Sequence, residues 1–551
     1  MPVVACDYEE LVSLMGRRIP KEDLVARIPM MGGAYDGEDS DGNLLFEFFP
    51  NRPDLLSIEG LARACRAFFD IESGLPSFTV LASKETVHVE PSVLQVRPII
   101  GFARVTGLVL DDQRLADLIE LQERLTVGPG RKRRKVAIGI HDAARIRAPY
   151  TYKAVGRDEV RFVPLGWSRE LTPAEIFRDH EKGKMFGPLL QAAKKVPLIV
   201  DASGQVLSLP PVINGQLTAL STRTRDVVVD VTGTDERSVL GVLNIVVTSL
   251  SERGGKIHSM EVRSGAKKAT TPDLTPIETP LAYARVKELL GLEVDRQSAK
   301  KYLGRMGHEV VHKSEGKGVV KSPAYRLDLL HPDDVVEDLG IGYGFEKFTP
   351  RLPERALFGG VLAKTRTIRR VRTQLLGLGF TEVVTLSITG KKDVFALMGA
   401  AEEPVVSIAN PLTLEQAIIR PRLLPSLLGI LRANKHRELP QSIFEIGNTI
   451  PDPKAEAKVQ LRAAALRTSA TANFSECKGL VEAFLRDLAM SAEIHRGTAP
   501  GFLEGRAAVL VTGGRHIGWF GELRPDVITG FELGAPVIGF EVIVPAQGPL
   551  P

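Results

Sequence analysis

The stretch SPAYRLDLLHPDDVVEDLGIGYGF, beginning at Ser322, gathers Asp328, Asp333, Asp334, Glu337 and Asp338 with one arginine, Arg326, and no lysine. Carboxylates at this density suit a hard cation such as Mg²⁺, which is held through oxygen alone. The spacing equally suits a solvated acidic face, or a surface that meets an Arg- or Lys-bearing partner. On a helix, Glu337 and Asp338 lie three and four residues beyond Asp334, so all three share one face and repel one another. Asp328 stands close enough in sequence to join them.

These acids need elements to position them. Pro332 fits the first turn of a helix, where its missing N–H would have no partner, and Asp333 and Asp334 are favoured there by the helix dipole. Val335, Val336, Leu339 and Tyr343 fall on the opposite face, which predicts a helix packed on a core with its acidic face outward. Asp328 is expected to end a strand, VVKSPAYRLDLL, just before that helix.

At 551 residues the chain is too long for one core and is expected to form three to five domains. Its 44% hydrophobic and 25% charged residues describe an ordinary globular protein. The apolar run SVLGVLNIVV from Ser238 is too short to span a bilayer, and early acids replace the basic start of a signal peptide. The expectation is a cytoplasmic protein with no membrane segment. Cys6, Cys65 and Cys477 stand singly, which excludes paired-cysteine zinc sites and a disulfide framework, and they are read as core residues. A net charge of +4 does not by itself argue for nucleic acid, although RKRRK from Arg131 is a local basic run that could meet phosphate or remain a solvated loop.

The pattern predicts an α+β multidomain chain in four segments. Residues 1–88 form an N-terminal α/β module, in which Pro53 opens a helix with Glu59 and Arg63 as an i, i+4 pair. Residues 89–265 alternate short apolar strands with helices, as in KVAIGIHD and RDVVVDVTGTDERSVLGVLNIVV. A Thr- and Pro-rich boundary precedes 270–350, read as two helices, a hairpin and the acidic helix. Residues 355–551 carry strand signals at TEVVTLSIT, QSIFEIGNTI, AAVLVTGG, HIGWFGEL and APVIGFEVIV, an antiparallel sheet bearing helices.

NRPDLLSIEGLAR, YRLDLLHPDDVVEDLGIGYGF and NPLTLEQAIIRPRLLPSLLGILRANKHRELPQSIFEIG occur here in an order that closely resembles the β subunit of phenylalanyl-tRNA synthetase, in the short form typical of archaea. The resemblance implies that Asp328, Asp334, Glu337 and Asp338 bind Mg²⁺, with Asp333 left as a helix-terminal acid. It implies an α₂β₂ assembly in which the α subunit holds ATP and phenylalanine and charges the tRNA. The last segment resembles a degenerate class II synthetase fold, and GAPVIGFEVIV ends its sheet without the arginine an ATP site requires.

The second segment resembles the family's tRNA-editing domain, which hydrolyses tyrosine wrongly attached to the tRNA. Physical chemistry supports such a need, because an apolar pocket rejects an added hydroxyl only about a hundredfold. The candidate editing-pocket residues are Asp230 and Thr232, with Ser208 as a third wall. Thr232, Thr234 and Asp235 equally suit the turn and N-cap of the following helix, and Asp235 is assigned to that role. His141 could act as a general base, but a lone histidine beside Asp142 is read as structural. Two other readings stand beside an editing subunit: a purely structural β subunit with a dead pocket, and an independent Mg²⁺-dependent phosphohydrolase. The latter lacks a positioned nucleophile and phosphate-cradling glycines.

Overall fold

The computed structural model describes residues 2–314, 316–352, 358–454 and 458–545. It parts into two compact units, Met1–Arg351 and Leu352–Pro551. The expected start of the last segment at 355 lies outside the described residues.

The first unit opens with an antiparallel three-stranded sheet, Leu44–Phe48 lying between Val3–Cys6 and Gly33–Glu38. Leu44, Phe46 and Phe48 are buried while Leu45 and Glu47 are half-buried, the period-two alternation of a sheet with one covered face. The expected α/β module is thus an antiparallel sheet with helices. Pro53 opens a short turn rather than the helix itself, which begins at Ile58 with Ser57 Oγ accepting from Gly60 N at 3.1 Å. Gly60 is required by a close approach: a Cβ there would lie 1.9 Å from the Asp54 carbonyl oxygen. The expected Glu59–Arg63 pair does not form. Glu59 instead accepts from Arg253 Nε at 2.6 Å and Arg63 faces Glu252 at 3.6 Å, because this helix packs on the long helix Glu236–Glu252.

That long helix is the apolar run SVLGVLNIVV, buried from Ser238 to Leu250 apart from Leu240. It lies on an eleven-stranded mixed sheet. Within it, Val227–Gly233 sits between Ile99–Thr106 and Val136–Asp142, antiparallel to both, and all seven of its residues are buried. A strand covered on both faces reads as a continuous apolar run, which is what VVVDVTG is apart from its aspartate and threonine. The sheet also takes in Val80–Leu81 and Thr86–Val89, both parallel to Lys256–Ser264.

Next comes a smaller antiparallel sheet, Lys317–Ser322 between Ile277–Ala282 and Glu309–Ser314, with the helices Tyr283–Leu290, Arg296–Gly304 and Pro332–Tyr343. Val335, Val336 and Leu339 join its core as expected. The strand expected to run to Asp328 ends at Ser322, since Pro323 has no N–H to continue the ladder. Asp328 lies in the connection that follows.

The second unit holds a seven-stranded sheet in the order Thr381–Glu382, Gln441–Thr449, Gln460–Thr468, Val537–Ile543, Arg515–Leu523, Phe502–Thr512, Glu493–Arg496. Every pairing is antiparallel except the first. The sequence TEVVTLSIT yields only two-residue strands, and the central strand QLRAAALRT had no strand signal. Its alanines favour helix, but the strand is paired on both sides, and Ala463, Ala464 and Ala465 are fully buried in the cores on the two faces of the sheet. Cys6, Cys65 and Cys477 are all free and buried. No helix among the described residues is long and apolar enough to cross a membrane.

Candidate functional site

The acidic helix begins with a capping box. Asp334 Oδ2 accepts from Leu330 N and His331 N, both at 2.6 Å, and His331 Nδ1 accepts from Asp333 N at 3.2 Å. Asp333 is clamped by Arg285 through two hydrogen bonds of 2.9 and 2.7 Å. Asp328 gives both oxygens to Arg326, at 2.8 and 2.6 Å. Asp338 is the residue whose placement the sequence missed. It is buried rather than turned outward, and its Oδ2 bonds both Arg326 Nη2 and His308 Nε2 at 2.7 Å.

Burial opposes the charge on Asp338, yet Arg326 and the His308 hydrogen bond outweigh it and hold its carboxyl well below the usual carboxylate range. Burial likewise works against Arg326, which Asp338 and Asp328 push well above its ordinary value. Glu337 stays exposed, and partial burial, then Asp338, Asp334 and Asp328, raise its carboxyl above the ordinary value. Among the described residues no group of three or more His, Cys, Asp and Glu side chains is arranged to hold a metal ion. The donor chemistry suits a hard cation, but the fit is partial: both Asp328 oxygens and the Oδ2 atoms of Asp334 and Asp338 are already engaged, leaving Glu337 as the repelled carboxylate.

The second cluster forms around Asp230. Its Cα partners across the ladders are Phe102 and Gly139, and its Oδ2 meets His141 Nε2 at 2.7 Å, while His141 Nδ1 meets Thr218 Oγ1 at 2.8 Å. A Cβ on Gly139 would lie 2.0 Å from Asp230 Oδ2 and 2.6 Å from His141 Nε2, so only glycine lets that pair close. Thr232 is held by a different partner: Arg97 donates through Nε to Thr232 Oγ1 at 3.0 Å and through Nη2 to its carbonyl oxygen at 2.7 Å. Burial pulls the Arg97 guanidinium down to about 10.

Ser208 Oγ is buried with no hydrogen-bond partner among the described residues. Ser208, Asp230 and Thr232 all line one cavity of about 20 Å³, together with Asn214, Pro211 and Arg133. That is room for about one water. The three residues named from the sequence are therefore brought together. His141 is fully buried, behind Asp230 and outside the cavity lining, where it orients the carboxylate. Asp235 caps the next helix, accepting from Ser238 N at 2.9 Å. Gly139, Arg97 and Thr218 were missed. A glycine inside the strand pattern VAIGIHD was a usable signal of close approach, whereas nothing local marks Arg97, which reaches its threonine from 135 residues away.

A model described as tRNA synthetase B5 domain matches residues 279–345, and one described as phenylalanyl tRNA synthetase beta chain CLM domain matches residues 349–544. The phenylalanine–tRNA ligase beta subunit of Archaeoglobus fulgidus is 39% identical over 545 residues, 98% of each chain, and that of Methanosarcina acetivorans is 39% identical over 548 residues, again 98% of each. The chain belongs to the phenylalanine–tRNA ligase beta subunit family. A crystal structure of an N-terminal fragment of the phenylalanyl-tRNA synthetase beta subunit from Pyrococcus horikoshii is 39% identical and superposes with a TM-score of 0.60, covering 62% of this chain and 100% of that one. The protein is thus an aminoacyl-tRNA ligase subunit of mixed α+β architecture, as its motifs indicated.

The buried pairing of Asp338 has a measurable consequence. Asp338→Asn keeps the side-chain size but removes the charge opposite Arg326, and loss of one partner of a buried ion pair costs about 3–5 kcal/mol. Because the Asp338 carboxyl is held below its unfolded value, the parent's advantage is present above the unfolded value of about 4 and disappears as pH falls through the folded value. Urea denaturation at neutral pH and near pH 3 should show the gap between parent and variant narrowed but still present at the lower pH, because the folded carboxyl titrates lower still.

Proposed function

We propose that this chain is the editing subunit of an α₂β₂ phenylalanine–tRNA ligase that acts on tRNA, with ATP-dependent attachment of phenylalanine carried out in the α subunit. The second unit supports a non-synthetic role. Its buried arginines are neutralised by its own glutamates, Arg420 by Glu445 and Arg462 by Glu541, each at 2.8 Å, and so are not free for a phosphate. The purified chain should give no phenylalanine-dependent ATP–pyrophosphate exchange, and addition of the α subunit should restore it. Exchange by this chain alone would overturn the assignment.

The observation that carries the editing reading is the cavity walled by Ser208, Asp230 and Thr232, with Ser208 Oγ unpartnered and Asp230 anchored by His141. A polar pocket of this kind distinguishes a phenol from a phenyl ring, because a buried polar group left unpaired costs about 1–3 kcal/mol. Asp230 accepts the tyrosine hydroxyl or orients the attacking water. In the reaction, water oxygen bonds the ester carbonyl carbon, the bond to the ribose oxygen breaks, and the ribose oxygen takes the proton. The cavity's small volume favours a second reading, a structural β subunit whose pocket no longer opens. Asp230→Ala in the assembled enzyme separates the two. Phenylalanine charging should stay near normal while release of tyrosine from tyrosyl-tRNA slows about tenfold, the worth of one hydrogen bond. A parent enzyme that releases no tyrosine would establish the structural reading.

The acidic helix is proposed to hold Mg²⁺ through Asp328, Asp334, Glu337 and Asp338, in part shared with the charge pairs already described. What supports this is Glu337, the carboxylate that partial burial and then neighbouring acids leave unfavourably charged. The ion would supply the missing positive charge there and stiffen the module within the assembly. Added Mg²⁺ should raise the melting temperature of the parent but not of Glu337→Gln, and the variant should retain less metal after gel filtration. Equal metal content and equal Mg²⁺ response would reduce these acids to a helix face satisfied by Arg326, Arg285 and backbone N–H groups.

A further inference from the structure

The basic run Arg131–Lys135 has a definite shape and address. It follows Gly128–Gly130 as a tight turn in which Arg131, Lys132 and Arg133 all adopt left-handed backbone conformations, with φ of 49, 52 and 67°. Consecutive non-glycine residues in that region are strained, so the surroundings must hold them there. They do so from both ends. The N–H groups of Arg131, Lys132 and Arg133 bond back to the carbonyls of Gly128, Val127 and Thr126, and Lys135 O accepts from Thr234 N at 3.1 Å.

Arg133 turns inward, with Nη1 and the face of its guanidinium engaged and Nε without a hydrogen-bond partner among the described residues. Its Nη1 donates to the carbonyl oxygens of Pro211 and Val212 at 3.2 and 3.0 Å, its guanidinium stacks 4.1 Å from the Phe186 ring centroid, and it lines the cavity beside Asp230. Lys135 pairs with Asp235 at 3.2 Å. Arg131, Lys132 and Arg134 are exposed and have no ion pair among the described residues. They border an open groove of about 720 Å³ that runs along the turn to Thr234, two residues beyond Thr232. Exposed Val127 and Met185 flank the same cations with apolar surface.

Resting on the hydrolytic reading of the cavity, we infer that Arg131, Lys132 and Arg134 form the docking surface for the phosphates of the single-stranded 3′ end of an aminoacylated tRNA, whose ester enters the Asp230 cavity. The chemistry points to phosphate recognised by side chains, because the turn's own N–H groups are already bonded within it. Three uncompensated cations in a groove meet a polyanion by releasing its counterions, and the apolar flank gives an unpaired base a surface to lie on. Arg133 links the two places: it belongs to the turn and also fixes the Pro211 wall of the cavity, so a strand seated on the turn is led to that wall.

The test uses the enzyme assembled with its α subunit and a tRNA carrying tyrosine through a non-hydrolysable 3′ amide. Affinity is measured across a salt series for the parent and for the triple variant Arg131→Ala, Lys132→Ala, Arg134→Ala. With about 0.7 in logarithmic salt slope per neutralised single-strand phosphate, the variant's slope should be flatter by about 2. The charge-conserving variant Arg131→Lys, Arg134→Lys should keep most of the parental slope, and phenylalanine adenylation should be unchanged in both. An unchanged slope and affinity in the triple variant overturns the proposal, as does a loss of adenylation that parallels the loss of binding. If the parent fails to release tyrosine from tyrosyl-tRNA, the hydrolytic reading falls, and the salt slope still decides whether the turn holds RNA.

Discussion

A buried guanidinium needs acceptors to offset its lost hydration, and much of the first unit is arranged around Arg326, whose Nε and Nη2 are engaged while Nη1 has no hydrogen-bond partner among the described residues. This residue is 1% exposed. It takes both oxygens of Asp328, two positions along the chain, and one oxygen of Asp338 from the acidic helix. His308 supplies the second hydrogen bond to Asp338, and burial holds its imidazole below the ordinary value. The same short fork recurs in Arg52 and Asp54, joined at 2.9 and 2.8 Å. The two forks lie within electrostatic reach of each other, since Arg326 helps lower Asp54 and opposes the charge of Arg52. NRPD and YRLD, far apart in sequence, are thus two halves of one charge cluster.

This accounts for the strict geometry nearby. Arg63 is buried as well, stacking 4.1 Å from the Tyr325 ring centroid with Glu252 at 3.6 Å. Gly60 lets its helix pass against the Asp54 carbonyl, so the turn that presents Asp54 to Arg52 can be tight. The acids of the helix Pro332–Tyr343 are correspondingly divided. Asp338 serves the interior, Asp333 and Asp334 serve the helix start, and only Glu337 is left facing solvent, its charge opposed by partial burial and by its neighbours.

The Asp230 cluster follows the same rule with a different outcome. A carboxylate in the middle of a fully buried strand is tolerable only because Gly139 makes room for His141 beside it, and because Thr218 fixes the other ring nitrogen. Polar groups fully satisfied in this way stiffen a core. Ser208, which lines the small void beside Asp230, has no hydrogen-bond partner for its Oγ among the described residues. Arg133 Nε, also without a hydrogen-bond partner among the described residues, borders the same small void. In the second unit the equivalent accounting closes completely at Glu541, which binds Arg462 through Oε1 and the N–H groups of Leu423 and Leu424 through Oε2.

The sequence by itself determined what depends on neighbours along the chain. Helix starts at Pro332 and Asp235, the apolar face of Val335, Val336 and Leu339, the buried run of Val227–Gly233, and the acids and threonine able to do chemistry all follow from short-range spacing. Tertiary structure decided what depends on partners brought from far away. It turned Asp338 inward toward His308 and Arg326, gave Glu59 to Arg253 instead of Arg63, and made a central strand of the alanines from Ala463 to Ala465. It also brought Arg97 to Thr232 and Arg133 to Pro211, across 135 and 78 residues. The physical reason is common to all of these. Propensity and periodicity are set by local backbone sterics and hydrophobic burial, whereas the partner of a buried charge is fixed only when chain segments pack, because only then is the water that would otherwise satisfy it removed.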